Sequence, residues 1–133
     1  MLMTKSTPAA HRIVKRLLLA FALLGAAGCT QVLVSPETRG EYKLGELQVF
    51  ADRDFAATYA AAKNGMKDKG LFLVKDDRLV VEAELNGRDA TDTLVIVKVK
   101  ELAKNRTSIK IRYGLKGDLA AAQSVYSAIA TRL

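Results

Sequence analysis

The sequence has little of the equipment of catalysis. Its 133 residues contain one cysteine, Cys29, one histidine, His11, two prolines and no tryptophan. A single cysteine excludes a disulfide within one chain. No Walker-type loop and no dinucleotide glycine motif is present, and Gly114-x-x-Gly117-Asp118 is too short for either. Long apolar runs are also missing. The stretch Leu17 to Cys29 holds 13 residues, and a spanning helix needs roughly 20. Length bounds the rest: 133 residues make one small domain rather than two.

The positive charge is concentrated. The formal net charge is +7, but Lys5, Arg12, Lys15 and Arg16 precede residue 29 without any acid. Beyond them the charges nearly balance, so the bulk basicity does not indicate nucleic-acid binding. A basic start, a short apolar run and a small-residue ending form the three-part layout of an export signal, placed at residues 1–28. The ending Ala26-Ala27-Gly28-Cys29 resembles the lipobox of bacterial lipoproteins, with Ala26 where Leu is commoner. That resemblance implies cleavage between Gly28 and Cys29 and a lipid on the Cys29 sulfur. Two acyl chains give stable anchoring at about 0.8 kcal/mol per buried methylene. The alternative is an ordinary cleaved signal with an incidental cysteine. In lipoproteins of enteric-type bacteria an Asp after the cysteine favours the inner membrane. Thr30 stands there, so the expectation is the outer membrane, facing the periplasm.

Removing the leader removes His11, and lipid would block the one thiol. Ser-His and Cys-His nucleophiles and His or Cys zinc sites are then excluded, and neither a metal nor a cofactor is expected. The expectation is a protein that is not an enzyme.

Residues 29–40 read as the lipidated end and a short tether, although Val32-Leu33-Val34 can dock as an edge strand. Residues 41–133 read as the compact domain. Tyr42 to Ala51 reads as a first strand. Asp52 or Asp54 caps a helix running to about Lys69, with Phe55, Tyr59, Ala62 and Met66 on one face. Gly65 inside it predicts a weak last turn. Leu71 to Lys75 is a second strand and Asp76-Asp77 a turn. Arg78 to Leu85 is a third strand, with Leu79, Val81, Ala83 and Leu85 on one side. Asn86-Gly87 opens a longer turn. Thr93 to Leu102 and Thr107 to Tyr113 alternate as fourth and fifth strands. Asp118 caps a last helix with Leu119, Ala122, Val125, Tyr126 and Ile129 on its apolar face. The expected fold is an α+β two-layer sandwich: an antiparallel sheet of about four to five strands with two helices on one face.

From Gly40 to Leu133 the chain resembles the small bacterial lipoproteins of domain of unknown function 3568. The resemblance rests on Gly45-Glu46-Leu47, the Ala-rich helix Phe55–Met66, Arg78-Leu79-Val80-Val81-Glu82-Ala83-Glu84, Thr107 to Gly114, and Gly117-Asp118. It implies no known activity and brings no catalytic residues. The element order also looks like the helix-grip modules of envelope assembly lipoproteins, an analogy of fold alone.

One surface feature stands out. Pairing of the last two strands puts Lys98, Lys100, Lys110 and Arg112 on one open face. Like charges opposite each other are unfavourable unless something separates or neutralises them. A solvated face offset by Glu82 and Glu84 satisfies that condition; so does an anionic partner, whether acidic protein, lipid head group or envelope glycan. Phe55, Tyr59, Tyr113 and Tyr126 are candidates to line a small-ligand cavity, though aromatics at such spacings usually build core. The functional expectation is thus a lipid-anchored envelope module for structure or protein interaction. Binding of a small ligand or anionic partner in the periplasm is the alternative.

Overall fold

The computed structural model describes residues 30–34 and 38–133. The expected export signal, its expected cleavage point after Gly28, the lipidation candidate Cys29 and His11 lie outside the described residues. Among those described, no helix is long and apolar enough to cross a membrane.

Seven strands and two helices follow in the order β1 (Thr30–Leu33), β2 (Arg39–Lys43), β3 (Glu46–Ala51), α1 (Phe55–Asp68), β4 (Phe72–Arg78), β5 (Glu82–Arg88), β6 (Leu94–Ala103), β7 (Arg106–Tyr113) and α2 (Leu119–Ala130). All neighbours in the sheet pair antiparallel, in the order β1-β2-β3-β7-β6-β5-β4. The α+β class stands, but the sheet has seven strands rather than four to five. Two causes account for the difference. The stretch expected as a tether supplies β1 and the start of β2, with Thr30 opposite Tyr42 and Leu33 opposite Arg39. The expected first strand is also broken in two by a turn at Leu44-Gly45, where φ is +53° and +78°. Paired positive φ values suit the twist of a two-residue hairpin. A leucine in that conformation is uncommon, so the turn left little trace in the sequence.

Two other turns move. Asp76-Asp77 lies inside β4, and the chain reverses instead through Leu79-Val80-Val81, where the Leu79 amide donates to the Glu82 carbonyl at 2.8 Å. Asn86-Gly87 lies inside β5. Gly87 faces the helices, and a Cβ there would come within 3.0 Å of the Met66 methyl. The reversal after β5 is organised by Asp89, whose Oδ1 accepts from the Thr91 and Thr93 amides at 2.8 and 2.9 Å.

Strand alternation puts Leu47 and Val49 of β3, Leu85 of β5, Val95, Val97 and Val99 of β6, and Ile109 and Ile111 of β7 on one face, all fully buried. Burying a side chain of this kind contributes about 1.5–3 kcal/mol. Both helices cover that face. Met66 and Ala62 point inward from α1, and Ala122, Val125 and Ile129 from α2. Asp54 and Asp118 cap the helices, their Oδ1 atoms accepting from Ala57 N at 2.7 Å and Ala121 N at 3.1 Å.

Gly65 is not a weak point but the helix crossing. It is buried, and a Cβ built on it would stand 2.6 Å from the Ile129 Cα. Gly65→Ala gains about 1 kcal/mol of helix propensity but overpacks the crossing, which typically costs 1–3 kcal/mol. The expected result is a net loss of about 1 kcal/mol in urea unfolding. The same substitution at exposed Asn64 is expected to be neutral or stabilising.

Candidate functional site

The face of the sheet opposite the helices carries the residues singled out in the sequence. β6 and β7 pair through the Lys104-Asn105 turn, with Lys98 opposite Lys110, Ile96 opposite Arg112 and Lys100 opposite Ser108. Lys98, Lys100, Lys110 and Arg112 therefore share this open face. They do not form an unbroken basic patch. On β5, Glu84 stands opposite Lys98 and Glu82 opposite Lys100. From β3, Glu46 lies 3.9 Å from Lys110 Nζ and 3.7 Å from Arg112 Nη2. Glu84 is also approached by Lys75 at 3.3 Å. Among the described residues, Lys98 and Lys100 have no ion pair. The face is a checkerboard of both signs, with two cations free to pair elsewhere. It is also concave: Asp77, Glu82 and Glu84 on one side and Lys98, Lys100 and Lys110 on the other border a depression of about 510 Å³.

The two ends of the sheet differ from this charged middle. At one end the β4–β5 turn leaves Leu79, Val80 and Val81 exposed, Val80 at 89%, beside exposed Leu102. The expected third strand puts Leu79 and Val81 on the side of Ala83 and Leu85, but only the latter two are buried. The alternation Leu79, Val81, Ala83, Leu85 is continuous in sequence, so nothing there marks where strand becomes turn. At the other end Leu44 and Leu115 are exposed at 83% and 91%. Thr30, the first residue of β1, is at this second end, level with Tyr42.

The aromatic candidates do not surround a common cavity. Phe55 and Tyr126 are core residues. Tyr59 stacks on Phe55 at 6.2 Å between ring centroids and donates to Asp76 at 2.6 Å. Lys63 joins the same carboxylate at 2.7 Å, and the Arg78 guanidinium lies 4.6 Å from the Tyr59 ring centroid. This cluster pins edge strand β4 to α1. The Lys63 and Tyr59 hydrogen bonds hold the Asp76 carboxyl below its ordinary range. Among the described residues, no group of three or more His, Cys, Asp or Glu side chains is placed to hold a metal ion.

Tyr113 makes a second clasp, donating to Asp89 Oδ2 at 2.6 Å and so fixing the β5–β6 turn at the Leu44 end. The Tyr113 hydroxyl and then the Thr91 hydroxyl depress the Asp89 carboxyl well below the usual carboxylate range. In return the hydrogen bond to Asp89, followed by burial, pushes Tyr113 up to about 12. A depressed carboxyl stabilises the fold above its unfolded pKa and loses that contribution as pH falls through the folded value. A raised tyrosine stabilises the fold below its unfolded value of 10.0 and loses that contribution as pH rises to about 12. Tyr113→Phe is expected to weaken the acid limb of the pH–stability profile and remove this alkaline one. Urea midpoints at acid, neutral and alkaline pH measure both.

Comparison with known proteins adds one match. The model of a family described as protein of unknown function, DUF3568, matches residues 12–132. No curated protein matches the chain. The match covers nearly the whole chain, both helices and all seven strands included, and on that ground the chain belongs to the DUF3568 family.

Proposed function

We propose that this protein is a lipid-anchored component of the bacterial envelope, attached through Cys29 and acting as a non-enzymatic protein-interaction module. Residues 1–28 then serve as the export signal, and Thr30 after the cysteine favours the outer membrane, facing the periplasm. The observation that carries the interaction reading is the Leu79-Val80-Val81 turn. Three successive apolar side chains are left in water there, beside Leu102 and the concave face. Exposed apolar surface rimmed by charges is what binding sites leave when unoccupied. A partner that covers it recovers about 25 cal/mol per Å² of apolar area. The turn lies at the end of the sheet away from Thr30, so an anchor at Cys29 leaves it accessible.

An anionic partner is the second reading. It is favoured by Lys98 and Lys100, which lack ion pairs among the described residues and border the same depression. A small ligand between sheet and helices has less support, because the inward side chains of β3, β6 and β7 fill that space.

Photo-crosslinkable residues placed singly at Val80, Lys98 and exposed Ala60 test the proposal in intact cells. The expected result is a defined adduct from Val80 that Leu79→Asp abolishes, with none from Ala60 on the outer side of α1. An adduct from Lys98 that is lost on Lys100→Glu selects the anionic partner. Equal, diffuse labelling at all three positions would contradict an interaction module.

A further inference from the structure

The end of the sheet bearing Thr30 has a construction of its own. β1 is not free to swing away from the domain. The Gln123 side-chain amide donates to the Leu33 carbonyl at 3.2 Å, and the Val34 amide donates to the Thr38 carbonyl at 2.9 Å. Val34 is buried against Gly40, where a Cβ would meet its Cγ2 at 2.8 Å. These contacts hold the Leu33 end of β1, and the strand register sets Thr30 opposite Tyr42. Cys29 is the residue before Thr30 in the sequence, one peptide unit or about 3.8 Å away in Cα separation. Leu44, two residues past Tyr42, opens the turn at the same end of the sheet. No slack chain separates the proposed attachment point from the folded domain.

The tip of this end is rigid and apolar. Backbone packs against backbone there: a Cβ on Gly45 would meet the Lys116 carbonyl oxygen at 2.6 Å, and one on Gly117 would collide with Gly45. The contact joins the β2–β3 turn to the β7–α2 loop, and Leu44 and Leu115, each next in sequence to a residue of that contact, are both exposed. Arg112 Nη1 donates to the Leu115 carbonyl at 3.5 Å while its other nitrogen reaches Glu46. Lys43 and Lys116, each next in sequence to one of these leucines, are exposed and have no ion pair among the described residues. Of the acids at this end, Glu46 is engaged by Lys110 and Arg112, Asp92 by Arg88 and Asp118 by the N-terminus of α2, while Glu41, beside Lys43 and Leu44, has no ion pair among the described residues.

We infer that this end of the sheet docks on the bilayer itself, with Leu44 and Leu115 inserted among the lipid head groups and Lys43 and Lys116 on their phosphates. The inference rests on the lipid attachment proposed for Cys29. Apolar tips flanked by lysines suit an interface whose surface is anionic and whose interior is apolar. Docking fixes the orientation of the whole module. The strands stand toward the membrane, and Val80 is carried to the distal end.

The test uses the mature protein purified from membranes and reconstituted into phosphatidylethanolamine–phosphatidylglycerol vesicles with brominated acyl chains. Leu44→Cys, Leu115→Cys and Val80→Cys each introduce one thiol at an exposed position for a fluorescent label. Quenching by the bromines is expected to be several-fold stronger at positions 44 and 115 than at 80, and to weaken when phosphatidylcholine replaces the anionic lipid. Equal quenching at all three, or the reverse order, overturns the docking. So does shielding of the labels at 44 and 115 from aqueous iodide without quenching by bromine, which would put a protein there instead. Labelling of the unsubstituted protein at Cys29 would show a free sulfur. That outcome overturns the lipid reading, and is distinguishable from failure of the docking alone.

Discussion

A Cβ at Gly65 would sit 2.6 Å from the Cα of Ile129, so α1 and α2 cross at a point where only glycine leaves room. The rest of the architecture depends on that approach. Two helices must share one face of the sheet, and the apolar strip on that face spans β3, β7, β6 and β5. Had the helices stood further apart, Ile129 and Met66 would have lost the contacts that leave both fully buried. Gly87 makes the complementary allowance from the sheet side by admitting the Met66 methyl. The cost in helix propensity at Gly65 is about 1 kcal/mol, small beside the burial it permits.

Where sequence and structure agree, a strong period or a cap carried the signal. Val95, Val97 and Val99 against Lys98 and Lys100, and Ile109 and Ile111 against Lys110 and Arg112, left one reading for the central strands and their open face. Asp118 announced the second helix, and the pair Asp52 and Asp54 the first, with Asp54 making the cap. The disagreements lie where a residue is used against its type. Leu44 takes a left-handed turn position, Leu79-Val80-Val81 forms a turn without polar residues, and Asp76-Asp77 stays in a strand because Tyr59 and Lys63 hold Asp76. Glycine misled in the same way. Gly65 and Gly87 are places of close approach, and in a single sequence they look like breaks.

The basic residues of the open face were correctly brought together, but their neighbours were not all visible. Glu82 and Glu84 could be anticipated from strand alternation. Glu46 could not, because it became a neighbour of Lys110 and Arg112 only once the first expected strand split and β3 paired with β7. With Glu82 and Glu84 on the other side, that carboxylate completes a checkerboard in place of a basic patch. It also shifts attention toward the two ends of the sheet, one apolar at Val80 and one at Leu44 and Leu115.

Those ends acquire opposite meanings through the proposed attachment at Cys29, one residue before β1. A lipid there makes the Leu44 end proximal to the bilayer and the Val80 end distal, and a family without an assigned function gains a polarity against which partners can be sought. The decisive measurement is the intact mass of the protein extracted from membranes of the cell that makes it. The account predicts a chain beginning at Cys29 and heavier than its amino acids by a thioether-linked diacylglycerol. A chain that keeps residues 1–28, or one that carries Cys29 as an unmodified thiol, would contradict it.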